Sequence, residues 1–111
     1  MIFSTYWENE KTSDIEIDDN RNVTYRYYTD NVARAPYMFE NPTYEQIEEF
    51  VKSRCVNEKR ENLKEYLNDI GLTEYNPWRI IEITHGVMWE DLLWIKFPGE
   101  NIKWEDVKIR D

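Results

Sequence analysis

The chain has 111 residues, of which 41% are apolar and 15% aromatic, and its net charge is −9. This length excludes two domains of ordinary size and this composition excludes a disordered acidic tail, so we predict one folded domain over residues 1–111. The charge disfavours direct contact with a nucleic acid, because phosphate binding needs a basic patch.

The first thirty residues predict antiparallel strands. The segments SDIEID and NVTYRYY alternate apolar with polar residues, which is the period of a strand with one buried face. The Asp and Asn cluster at residues 18–22 is typical of the turn between two such strands. Residues 29–42 follow neither period and contain two prolines, so they predict an ordered connector.

Residues 43–86 predict three helices, each with an apolar stripe at helical spacing. The expected caps and stops are, in chain order, Thr43 with Gln46, Asn57, Gly71, Asn76 with Pro77, and Gly86. The short connections between these segments indicate a compact helical layer.

The last third of the chain predicts a β-hairpin. DLLWIKF is dense in apolar residues on both faces, residues 98–101 form a turn, and IKWEDVKI returns as a second strand. The order of elements therefore predicts an α+β fold. Its parts are N-terminal antiparallel strands, a central three-helix layer and a C-terminal β-hairpin, packed as one sheet with helices.

The residues that could support chemistry are few. His85 stands next to Gly86 at a predicted helix end, where an imidazole can bond free carbonyls. Glu90 and Asp91 are adjacent on an extended segment, so we expect them to point apart and face water instead of converging on a ligand. Cys55 lies beside an apolar helical stripe, as a small buried hydrophobe does. We predict no catalytic residue, no cofactor and no metal site, and hence no enzyme.

A single cysteine cannot form an internal disulfide or a thiolate-rich zinc site, so a reducing, cytoplasmic location is the expectation. No run of about 18 apolar residues could span a membrane, and the start of the chain lacks the pattern of a signal peptide. The expected partner is another protein with a basic surface, which an acidic chain attracts.

Aromatic residues at predicted loops and element edges suggest where that partner binds. Tyr and Trp framed by acidic side chains are typical of protein-binding surfaces. The alternative, that these rings only cover the edges of a small core, stays open. The candidate partner-binding residues are Arg34, Tyr37, Tyr75, Trp89, Glu90 and Asp91.

Two long segments, SRCVNEKRENLKEYLNDIGL and HGVMWEDLLWIKFPGENIKWEDV, resemble a small-protein pattern of Firmicutes mobile elements. TDNVARAPY resembles the connector of the same pattern. That pattern occurs as a free-standing protein and as the N-terminal part of HipA-like kinase proteins, and the likeness covers about residues 29–107. It implies a prophage or integrative-element setting. It carries no active site, because the kinase's catalytic and ATP-binding segments lie elsewhere in those proteins.

These observations lead to two functional hypotheses. The first is a non-enzymatic, acidic, protein-binding accessory module of a mobile genetic element, of the toxin–antitoxin or HipA-partner type, whose partner is a kinase-like toxin. The alternative is an anti-CRISPR-type inhibitor that blocks the nucleic-acid groove of a host defence nuclease with its acidic surface.

Overall fold

The computed structural model describes residues 1–35 and 41–109, and its centre is a four-stranded antiparallel sheet. The strands are β1 (Ile2–Trp7), β2 (Glu10–Ile17), β3 (Val23–Tyr27) and β4 (Leu93–Lys96). Their order across the sheet is β3-β2-β1-β4. The last strand of the chain therefore pairs with the first, as the predicted single sheet requires.

The helices lie between β3 and β4 in the chain, with one short addition at the end. They are α1 (Tyr44–Ser53), α2 (Leu63–Asp69), α3 (Pro77–Thr84) and α4 (Trp104–Val107), preceded by a 3-10 turn at Val32–Arg34. The α+β class, the three-helix middle of the chain and the C-terminal strand in the sheet are confirmed.

One face of the sheet packs against α1 and α3 to form the core. Alternate residues of β2 from Ser13 to Ile17 are buried, as the sequence period predicts, and Glu16 between Ile15 and Ile17 is exposed. The buried members of this core are Phe3, Ile15, Ile17, Ile47, Phe50, Val51, Ile81, Leu93 and Ile95.

The same face also buries a hydroxyl cluster that the apolar pattern does not reveal. Thr5, Thr12 and Ser13 are fully buried beside a register shift between Thr5 and Tyr6. The Thr5 and Thr12 hydroxyl oxygens are 2.8 Å apart, and the Thr12 hydroxyl also donates to the Thr5 carbonyl at 3.1 Å. Because these groups satisfy one another, their burial does not carry the penalty of unpaired polar groups.

Most of the predicted helix ends are confirmed. Thr43 and Gln46 form the capping box: the Gln46 N–H donates to the Thr43 hydroxyl at 3.2 Å, and the Thr43 N–H donates to the Gln46 side chain at 2.9 Å. Asn76 caps α3 by accepting from the Trp78 N–H at 3.1 Å, with Pro77 at the first helical position.

The predicted start of the second helix at Asn57 is wrong. Its side chain accepts from the Lys59 N–H at 2.8 Å within a turn, and α2 begins only at Leu63 after Asn62. Residues 57–62, NEKREN, have no apolar side chain. Since short helices are stabilised mainly by burying a face, the helix starts at Leu63, the first apolar residue of the stripe that includes buried Leu67.

The prediction of a second strand in a C-terminal hairpin is also wrong, because Trp104–Val107 forms the helix α4. One edge of β4 pairs with β1, and at the other edge the Ile95 N–H donates to the His85 carbonyl at 2.8 Å. Asn9, at the tip of the β1–β2 hairpin, accepts from the Trp104 N–H at 3.0 Å. The end of the chain thus packs Trp104 inward without adding a strand.

Candidate functional site

The end of α3 leads into a seven-residue loop, residues 86–92, which we call the Trp89 loop. His85 takes a left-handed conformation with φ of 58° and its N–H bonds the Ile81 carbonyl at 2.9 Å, so its predicted place at the helix end is confirmed. Its imidazole Nε2 lies 2.8 Å from a Glu100 carboxylate oxygen. The other Glu100 oxygen accepts from the Phe97 N–H at 2.7 Å. The ring therefore ties α3 to the turn after β4 and does not bond the helix carbonyls.

Both ends of the Trp89 loop are held by one buried side chain, Arg54 at the end of α1. Its Nε donates to the Gly86 carbonyl at 2.8 Å, and its Nη2 donates to the Leu93 carbonyl at 2.7 Å. Its two terminal nitrogens also donate to the two Asp91 oxygens, at 2.7 and 2.8 Å. A bidentate, charge-assisted pair with two further carbonyl acceptors gives a well-defined geometry. Arg54 therefore fixes where the loop starts and where it returns to the sheet.

The expectation that Asp91 faces water is wrong. Besides binding Arg54, its carboxylate accepts from the Leu93 N–H at 3.1 Å. Glu90 is exposed, so the two neighbouring carboxylates diverge as their adjacency predicts. The carboxylate of Asp91 points inward because the guanidinium is buried and needs a counter-charge. Asp91 thus positions the loop, and Glu90 remains at the surface.

Beside the loop lies a concave site that we call the Trp89 groove, with a volume of about 230 Å³. Trp89 is 59% exposed and Ile109 is 45% exposed. Large apolar side chains at this level of exposure, next to a groove, are a feature of binding surfaces. The described residues that line it are Arg54, Cys55, Val56, Tyr66, Thr84, Val87, Met88, Trp89, Glu90 and Ile109.

The thiol of Cys55 is in this lining. Its sulfur lies 3.3 Å from the Val51 carbonyl oxygen and 3.6 Å from that of Pro77. Burial raises the pKa of Cys55 to about 12. Since the thiolate is the form that attacks electrophiles and binds metals, the thiol acts here as a small apolar wall.

The structure brings some of the predicted binding residues together and separates others. Trp89 and Glu90 line the groove. Tyr75 is behind it, donating its hydroxyl to the Val56 carbonyl at 2.8 Å. Arg34 is not among the lining residues and places its guanidinium 5.1 Å from the centre of the Trp7 ring. Tyr37 lies outside the described residues.

Arg54 is the residue that the sequence did not single out. Arg54 and Asp91 are 37 positions apart in the chain. The residues around Arg54 in the sequence do not indicate which acidic side chain it will bind. The four side-chain hydrogen bonds of Arg54 described above all go to groups at or next to the ends of the Trp89 loop, so this side chain fixes the shape of the loop.

Within residues 1–35 and 41–109, no group of three or more His, Cys, Asp or Glu side chains is arranged to hold a metal ion. No helix in those same ranges is long and apolar enough to cross a membrane. Comparisons with protein-family models, curated proteins and solved structures found no match.

Proposed function

We propose that this protein is a non-enzymatic binding module that presents Trp89 to a partner protein. The observation that carries the proposal is a tryptophan 59% exposed on a loop whose two ends are held by buried Arg54. Tryptophan is enriched among the residues that dominate binding energy. A ring on a loop that is already ordered loses less conformational entropy on binding than one on a mobile segment.

Charge supports a basic partner surface. The net charge is −9, and Glu90 is exposed next to Trp89. Opposite charges accelerate encounter and select against acidic partners. The association rate should therefore fall as the salt concentration rises, whereas the Trp89 contact controls the dissociation rate.

The reactive side chains near the loop support binding over catalysis. His85 is paired with Glu100 and Asp91 with Arg54, and burial raises the pKa of Cys55 to about 12. A general base or nucleophile needs a free position facing a substrate. Neither the Asp91 carboxylate, which binds Arg54, nor the buried Cys55 thiol offers such a position, and the His85 side chain is only 16% exposed.

The biological setting that we propose is an accessory protein of a mobile element, of the toxin–antitoxin or HipA-partner type. Its support is the sequence resemblance of two segments, and the Arg54–Asp91 pair joins one segment to the other. A protein that shares both segments would therefore also share the Arg54–Asp91 pair that holds the Trp89 loop. The corresponding partner is a kinase-like toxin.

The alternative, an inhibitor that fills the nucleic-acid groove of a defence nuclease, needs a concentrated acidic face. The outer face of the sheet is mixed instead, since Asp14 is paired with Arg26 across the strands and lies 3.2 Å from the Lys11 ammonium. Competition with target DNA for the nuclease, weakening steeply with salt, is the result that would favour this alternative.

Affinity purification with matched variants tests the proposal. Tagged wild-type protein, Trp89→Ala and Tyr28→Ala are each expressed in the protein's own host, and the co-purified proteins are identified and then re-tested as purified pairs. Tyr28 is the control because it is an aromatic 45% exposed on the sheet side. We expect a partner that is retained by Tyr28→Ala and lost by Trp89→Ala. Recovery of no partner, or equal recovery by Trp89→Ala, would contradict the proposal.

A further inference from the structure

We propose that the Trp89 groove binds an apolar side chain of a partner segment whose neighbouring residues are lysine or arginine. This inference rests on the proposed function and specifies the chemistry of the bound segment. It follows from the size of the groove, from its apolar walls and from the charges at its rim.

The size of the groove favours a side chain over a small-molecule ligand. Its volume of about 230 Å³ is below the range of about 300–1,000 Å³ that is usual for small-molecule sites. The walls include Val56, Val87 and Met88, which offer no hydrogen bonds from their side chains. Methionine adapts its shape to different apolar partners. One or two aliphatic or aromatic side chains would fill such a site.

The charges around the groove favour basic residues beside that side chain. Arg54 supplies the one positive charge among the described lining residues, and the Asp91 carboxylate neutralises it. Glu90 makes no ion pair within residues 1–35 and 41–109. Glu58, two residues after Val56 in the chain, is also exposed.

The α2 side of the groove carries a positive charge, in contrast to the Glu90 side. This difference gives the bound segment a direction. The Arg60 guanidinium lies 4.9 Å from the centre of the Tyr66 ring, and Tyr66 lines the groove. A lysine or arginine placed there would meet a like charge. The basic residues of the segment should therefore lie on the Glu90 side.

A second copy of this chain is a poor occupant. In a symmetric pair the same patch meets itself, so Glu90 would approach the Glu90 of the other copy. Each chain also carries a net charge of −9, which opposes association at low salt. The complementary charge must come from a different protein.

Three matched peptides test the inference. One is a short amphipathic helix of Leu and Lys, the second replaces every Lys by Glu, and the third replaces every Leu by Ser. Each is titrated into isotopically labelled protein, and amide shifts and dissociation constants are measured by NMR. We expect only the Leu/Lys peptide to bind, with shifts at Cys55, Val56 and Met88. Trp89→Ala should weaken it by about tenfold or more, and Tyr28→Ala should have no effect.

A substitution at the rim tests the charge separately. Glu90→Gln should weaken the Leu/Lys peptide by about threefold and reduce its salt dependence, because one exposed charge contributes modestly. The inference is overturned if no peptide binds, if the Ser/Lys or Leu/Glu peptide binds as tightly, or if the shifts lie elsewhere. A natural partner that needs Trp89 but binds through a segment without an apolar side chain next to lysine or arginine would overturn this inference and leave the proposed function standing. Leu/Lys binding at the groove without any natural partner would contradict the proposed function alone.

Discussion

Two ion pairs of this protein have similar chemistry and very different surroundings. Arg54 and Asp91 meet at 2.7 Å with the arginine side chain 6% exposed, whereas Lys11 and Asp14 meet at 3.2 Å with both side chains about 40% exposed. Exposed pairs contribute roughly 0–1 kcal/mol, and breaking a buried pair costs about 3–5 kcal/mol. The Arg54–Asp91 pair can therefore hold a loop in place, whereas the Lys11–Asp14 pair contributes little to the position of its surroundings.

The exposed Lys11–Asp14 pair lies on the outer face of the sheet, together with other charged side chains. The strand register puts Lys96, Ser4, Asp14 and Arg26 in one row across four strands. The Lys96 ammonium lies 5.2 Å from the centre of the Tyr6 ring, and the Arg26 guanidinium lies 5.5 Å from the centre of the Tyr28 ring. Each contact of this kind at an exposed site is worth about 0.5–1 kcal/mol, so this row of side chains adds little to the stability of the sheet.

The largest expected effect is on Arg54. Arg54→Ala should lower the free energy of unfolding by about 3–5 kcal/mol, because it removes the positive charge opposite the Asp91 carboxylate and the donor to two carbonyls. Lys11→Ala, at the exposed pair, should lower it by less than about 1 kcal/mol. Urea denaturation of both variants measures the difference.

A double-mutant cycle sharpens this result. Arg54→Ala combined with Asp91→Ala should cost clearly less than the sum of the two single changes, because the interaction between the two side chains is lost in either single variant and cannot be lost twice. Additive effects, or a loss below about 1 kcal/mol for Arg54→Ala, would show that the loop is held by something else.

The reactivity of Cys55 reports the burial of the groove. Burial raises its pKa to about 12, whereas an exposed thiol titrates near ~8.5. At pH 8 the thiolate fraction should be lower by about a thousandfold, so a disulfide reagent should react far more slowly with folded than with urea-unfolded protein. Equal rates would mean that the groove opens readily.

Gly86 tests how closely the loop approaches the core. Its φ is 64°, and an added Cβ would lie 3.1 Å from Ile95 Cδ1 and 3.2 Å from Arg54 Cβ. Gly86→Ala should destabilise the fold by about 1–3 kcal/mol through strain and crowding. Gly99→Ala is the control, since Gly99 has φ of 83° but no atom within 4 Å of the added Cβ. A smaller loss for Gly99→Ala, measured by thermal unfolding, would assign the difference to crowding.

The smallest expected effect is the acid dependence of the exposed pair. Burial raises the pKa of Asp14, but the hydroxyls of Ser4 and Tyr28 and the Lys11 ammonium together lower it below its ordinary value. A lowered folded pKa means stabilisation that is present above the unfolded value of ~3.9 and is lost as the pH falls through the folded pKa. Asp14→Asn should reduce the stability difference between pH 7 and pH 3 by less than about 1 kcal/mol. A larger change would contradict the view that this face contributes little.

Local features were predictable because their physical causes lie within a few residues. The alternation in β2, the capping box of Thr43 with Gln46 and the Asn76–Pro77 start of α3 each depend on positions at most four apart. The cause of the error at Asn57 also lies within a few residues, since a cap residue alone cannot start a helix without an apolar side chain to bury.

The sequence by itself therefore determined the strands of the sheet, the three middle helices and the α+β class, but not the short helix α4. The tertiary structure decided the features that make the candidate site: which acid meets Arg54, why Glu90 is exposed while Asp91 points inward, and why β4 has no hairpin strand. These depend on contacts between positions 37 to 95 residues apart. Such contacts form only when the sheet brings the first and last strands together. A short sequence pattern does not predict which distant residues then come into contact.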